Sequence, residues 1–137
     1  MNDIALNKKV GIERCIKQIA AYYARKANLP FEEDYLTQDA IAMNLQRACE
    51  LAIDLANHAI RVKKLGLPQD SGHSFELLYE AGLIDKAMTA KLKTMVGFRN
   101  VLVHQYQRLD LDIMKRIIQQ DVNDLLHFAD RLCKQLS

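Results

Sequence analysis

A chain of 137 residues is long enough for one domain with a real core and too short for two, so 1–137 reads as a single domain. Half of the residues are hydrophobic, 26% are charged, and only 5 Gly and 2 Pro occur, which excludes a turn-rich β fold and favours an all-α globule. The formal charge of +2 excludes a protein that holds nucleic acid by bulk charge, so any such binding must come from a local patch.

The spacing of apolar residues predicts about five helices in an up-and-down bundle. The first runs from about residue 3 to residue 28, with Ile4, Val10, Ile12, Ile16, Ile19 and Tyr23 at helical spacing, and ends at Pro30 and the acidic loop 32–34. Thr37 reads as the next N-cap. The helix it opens continues to about residue 65, where Gly66 and Pro68 stop it. Its Ile41, Leu45, Ala48, Ala52, Leu55, Ala59 and Val62 form a heptad-like seam. A short helix over about 74–81 closes at Gly82, a fourth begins near Asp85, and the last runs from about Asp110 with Ile113, Ile117, Val122, Leu125, Leu126 and Leu132 inward.

Cys15, Cys49 and Cys133 are far apart and form no C-x-x-C pair, so they read as reduced residues of a cytoplasmic protein. No signal peptide or long apolar run is expected, and no His–carboxylate set has the spacing of a zinc site.

Packing does not explain residues 98–106, Phe-Arg-Asn-Val-Leu-Val-His-Gln-Tyr. Arg99 offers a fixed cation, Asn100 an amide, His104 a group that titrates near neutrality and Tyr106 a phenol. Cleavage of RNA without a metal needs those capacities. The 2′-hydroxyl loses a proton, the 5′-oxygen gains one, and the phosphorane between them needs positive charge. The stretch holds one His although the reaction has two proton transfers; a symmetric dimer would supply the second. Residues five apart on a helix point about 140° away from each other, so Arg99 and His104 meet only if the arginine wraps round, the helix ends near His104, or two copies cooperate. Spacing alone leaves a second reading open, that of an ion pair and cap at a helix end.

Glu50, Asp54 and His58 lie on the second helix near Arg47, Asn57 and Arg61. They read either as a supporting shell for His104 and Arg99 or as an ordinary charged face. His73 reads as a turn or capping residue and His127 as a core-edge residue. Lys86, Lys91, Lys93, Arg99, Arg108, Lys115 and Arg116 either steer RNA towards the motif or solvate the surface.

The run from Met95 to Tyr106 resembles the R-x-x-x-x-H-x-Y signature of HEPN domains, with their Gly-Phe lead-in at Gly97-Phe98. The run from Arg47 to His58 is similar to their second helix, and the stretch from Leu67-Pro68 to Leu83-Ile84 to their linking region. Within those domains the chain resembles the HepT-type toxins of minimal nucleotidyltransferase toxin–antitoxin pairs. That resemblance implies a HEPN-like homodimer with a composite cleft. It implies metal-independent, cofactor-free RNA cleavage through Arg99, Asn100 and His104, leaving a 2′,3′-cyclic phosphate. It also implies an antitoxin nucleotidyltransferase that neutralises the toxin by transferring AMP to Tyr106. Two rival readings are a non-catalytic accessory subunit of a nucleotidyltransferase and a plain structural dimer.

Overall fold

Asp34 opens the helix around which the rest of the molecule is built. In this computed structural model, which describes residues 3–25 and 28–137, its carboxylate accepts the Thr37 N–H at 3.1 Å and the Thr37 hydroxyl at 2.6 Å. Thr37 is therefore not the cap that its sequence position predicts. It sits in the first turn and donates to the cap, which leaves the carboxyl of Asp34 below its usual range. Arg25 ties the end of the first helix to this junction, reaching the Thr37 hydroxyl at 2.8 Å.

The first helix, α1 (Asp3–Ala24), buries Ala5, Ile12, Cys15 and Ile19. It ends earlier than expected, and part of its predicted last turn falls on residues 26 and 27, outside the described residues. Ile4 and Val10, counted with the apolar residues at helical spacing, are exposed. Val10 lies two residues before Ile12 and so points to nearly the opposite side of the helix.

The second, α2 (Tyr35–Lys63), carries the buried seam Ile41, Leu45, Ala48, Ala52, Leu55 and Ala59, while Val62 has already turned outward. Lys64 takes the left-handed conformation that ends the helix (φ 55°), and Gly66 follows at φ 121°. Next comes α3 (Ser71–Glu80), which starts three residues before the expected Ser74 because the Asp70 carboxylate accepts the His73 N–H at 2.8 Å. His73 thus belongs to a capped first turn, and its Nδ1 accepts the Gln69 N–H at 2.9 Å.

α4 (Lys86–His104) starts where the sequence predicts, and Asp85 caps it by accepting the Met88 N–H at 2.8 Å. A single 3-10 turn, Tyr106–Arg108, links it to α5 (Leu111–Arg116), capped by Asp110. A π-turn, Ile117–Asp121, joins α5 to α6 (Val122–Leu136), so that the two run on as the fifth rod of the bundle. Ile113 and His127 are exposed, not on the inner face or core edge. Met114, Ile118 and Val122 are all buried at two successive steps of four, longer than the 3.6-residue period, and the wider turn absorbs the surplus.

No strand occurs among the described residues. One core runs through the bundle, with α2 packed against α1, α3, α4 and α6. Phe75 of α3 meets Phe128 of α6 edge-on, centroids 5.5 Å apart. α4 is thereby clamped between the central helix and the C-terminal rod, which fixes where its last two turns point.

Candidate active site

The buried face of α4 is Thr89, Leu92, Met95, Phe98 and Leu102, and it decides the orientation of everything polar at the helix end. Phe98 and Leu102 face the core. Arg99 is left at the seam with α2, and Asn100, Val103 and His104 are turned outward. The helix stops at His104, where the Gln105 N–H still bonds the Val101 carbonyl at 2.8 Å, and the chain breaks into the 3-10 turn that begins at Tyr106.

α2 runs antiparallel beside this segment and meets it at two points. Glu50 approaches Arg99 with Oε1 3.8 Å from Nε. Eleven residues earlier on α2, Asp39 accepts the hydrogen bond of the Tyr106 hydroxyl. Gln46 lies between them; its amide donates to Glu50 at 3.1 Å, and it lines the small cavity beside Tyr106. Positions 39, 43, 46 and 50 step by four, three and four, so one stripe of α2 addresses both ends of the motif.

Arg99 is the most constrained of these groups. One Nη donates to the Asn100 side-chain oxygen at 2.7 Å. Its Nε is buried with no hydrogen-bond partner, since 3.8 Å to Glu50 is an ion-pair distance and too long for a hydrogen bond. A buried, unspent N–H costs on the order of 1–3 kcal/mol, a cost that an incoming anionic oxygen would remove. Asn100 spends its oxygen on Arg99 and keeps its NH2 donors for a ligand. His104 is exposed at the helix end, and neither contact of Arg99 involves it. Within one chain the wrap-round of the arginine is thus not observed: the guanidinium folds towards α2 and the imidazole faces solvent.

Tyr106 closes a cavity of about 260 Å³ lined by Asp39, Ala42, Met43, Gln46 and Leu102. Burial, then the hydrogen bond and charge of Asp39, push its phenol well above the usual range. A different neighbourhood surrounds the other two acid–base candidates on α2. Asp54 pairs with Lys8 of α1 at 3.9 Å, and His58 is buried, its pKa lowered by burial and by Arg61 and Lys8. Asp54 is thus drawn towards α1, whereas Glu50 turns to Arg99 of α4. Asp39 and Gln46 were not singled out from sequence. The available signal was their register with Glu50 along α2.

Five of the seven basic residues near the motif are held by carboxylates: Lys91 by Asp124, Lys93 by Glu76, Arg99 by Glu50, Lys115 by Glu32 and Arg116 by Asp121. That pattern favours the solvated-surface reading for most of them. All three cysteines are free. Among the described residues no cluster of His, Cys, Asp and Glu could hold a metal ion, and no helix is long and apolar enough to cross a membrane.

Comparison with known proteins agrees over nearly the whole chain. The model of the family described as ribonuclease HepT-like matches residues 12–132. The mRNA nuclease HepT of Shewanella oneidensis is 45% identical over 130 residues, covering 95% of this chain and 96% of the relative. The tri-AMPylated HEPN toxin of the same organism, solved in complex with an MNT antitoxin, superposes with a TM-score of 0.91 at 44% identity, covering 98% of this chain and 99% of that one. A toxin–antitoxin structure with AMP-PNP gives a TM-score of 0.90 at 44% identity, covering 96% and 99%. A cytosolic protein of Bacillus subtilis at 18% identity and a TM-score of 0.77 shares the fold. With its helical bundle, its Arg99-to-His104 motif and this agreement along its length, the chain belongs to the HepT-like ribonuclease family of HEPN toxins.

Proposed function

We propose that the chain is a cytoplasmic endoribonuclease toxin that works as a homodimer, cleaves RNA without a metal, and is silenced by AMP transfer to Tyr106. The observation that carries the reading is Arg99, a half-buried guanidinium with an unspent Nε–H beside an amide whose donors are free. A scissile phosphate placed there satisfies the orphaned donor and gains a fixed positive charge as the phosphorane forms. His104, one turn beyond Asn100 and open to solvent, accepts the 2′-hydroxyl proton or donates to the leaving 5′-oxygen. The products are a 2′,3′-cyclic phosphate and a free 5′-hydroxyl, and a second copy supplies the second imidazole.

The exposed Met43 beside Tyr106, and the exposed Val103 beside His104, give this end of the molecule an apolar rim that suits a second copy. Glu50, held to Arg99 by charge and to Gln46 by a hydrogen bond, fixes the guanidinium before substrate arrives; Asp54 and His58 take no part in our reading. The named relative is an mRNA nuclease, and a neighbouring structure is a tri-AMPylated HEPN toxin in complex with an MNT antitoxin. We read the same substrate class and the same kind of nucleotidyltransferase partner here, with Tyr106 as acceptor.

The test is cleavage of a mixed RNA pool in EDTA by the unmodified protein and by His104→Ala. The parent should give fragments ending in cyclic phosphate, and the variant should be slower by about 100-fold or more. A folded His104→Ala protein that cleaves as fast as the parent sinks the mechanism. A folded, AMP-free parent that cleaves nothing overturns the nuclease reading and favours the accessory-subunit one.

A further inference from the structure

We propose that Asp39 is a positioning residue for Tyr106, holding the free phenol against α2 and expelling it once its oxygen carries a phosphodiester. This rests on the reading of Tyr106 as the AMP acceptor. The phenol–Asp39 bond spans 67 residues of chain. Among the described residues it is the only side-chain hydrogen bond tying the 106–108 turn to the rest of the molecule. The turn's other restraints are local: the Arg108 N–H on the Gln105 carbonyl at 2.8 Å and the Leu109 N–H on the Tyr106 carbonyl at 3.1 Å.

The chemistry of the modification acts directly on this contact. The phenolic oxygen forms a bond to the α-phosphorus of ATP, the bond to pyrophosphate breaks, and the phenolic proton leaves to solvent. What remains at the oxygen has no hydrogen to donate and brings one negative charge up to the Asp39 carboxylate. Attraction between a donor and an anion becomes repulsion between two anions. The cavity gives the phosphate no relief. Its lining residues are Asp39, Ala42, Met43, Gln46, Leu102 and Tyr106, with no Lys or Arg among them. Cations lie elsewhere: Arg99 sits on the preceding helix and Arg108 at the end of the same turn. The modified side chain leaves α2 for these cations, Arg99 of the catalytic motif among them, so the same charge that breaks the latch also delivers the block.

The test separates the electrostatics from the enzymology. O-sulfotyrosine built in at position 106 carries one negative charge and no donor, and needs no nucleotidyltransferase. Hydrogen exchange of the 105–110 backbone is then measured in the full chain, with Asp39 and with Asp39→Asn. With Asp39 present, the sulfated turn should exchange roughly tenfold faster or more than the unmodified one; with Asp39→Asn, the acceleration should shrink to within about threefold. Tyr106→Phe, which removes the donor and adds no charge, should fall between. A sulfated turn that exchanges at the parent rate, or one that loosens equally in Asp39→Asn, overturns the latch. Separately, the mass of the chain after incubation with its nucleotidyltransferase and ATP decides the acceptor reading. Absence of an AMP adduct on Tyr106 overturns that reading and the latch's role with it, and the exchange data tell that failure apart from a failure of the electrostatics.

Discussion

Cys49 lies one residue before Glu50 and directly under the site. Its Sγ is 3.9 Å from the Met95 carbonyl, and burial pushes its thiol up to about 12 despite the opposing charge of Arg99. A thiol with that value is about one part in ten thousand thiolate at pH 8, and thiolate is the reactive form. Iodoacetamide at pH 8 should therefore leave Cys49 unlabelled in the folded protein and label it only after denaturation, as read by peptide mass mapping. Rapid native labelling would mean that the α2–α4 seam opens. The charged groups beside it follow a different logic. Arg99 and Glu50 are only partly buried, so their attraction is moderated by solvent, and its value lies in direction more than in stability.

At the scale of the element, α4 is the part that presents the motif, and its start is as important as its end. Asp85 sets the first turn, so Asp85→Ala should cost about 0.5–2 kcal/mol in urea unfolding, while RNA cleavage under native conditions changes little. A large loss of cleavage with unchanged stability would contradict the division of labour between the two ends of α4. The starts of these helices were legible in the sequence, which places them near Asp85 and Asp110, where the structure puts the caps. Thr37 was misread because a residue that can cap can equally donate to a better cap three positions earlier. The π-turn was not legible, since the apolar period on either side of Ile117–Asp121 looks like one helix. The motif itself stood out because Arg, Asn, His and Tyr in sequence conflict with a plain apolar stripe. Of its partners, Glu50 was one of three candidates on the second helix that sequence could not tell apart, and Asp39 did not stand out at all, because a contact 67 residues away leaves no local pattern.

Across the whole molecule, the core is continuous and the site is an outer edge of it. Phe128 is fully buried on the C-terminal rod and locks α6 to α3 through Phe75. Phe128→Ala should destabilise the fold by about 3–5 kcal/mol, lowering the thermal midpoint by roughly 10 °C or more. A change below about 1 kcal/mol would mean that the rod is not part of the cooperative unit. This connectivity also orders events in time. Glu50 and Arg99 lie 49 residues apart, which at about 5–20 residues per second is an interval of roughly 2–10 s during synthesis. α4 then waits further for α6, which packs against it and whose Arg131 bonds the Leu83 carbonyl just ahead of the Asp85 cap. Until that last rod docks, α4 stands opposite α2 without the support that fixes it, so the seam in which Glu50 meets Arg99 is set only when the C-terminal rod packs.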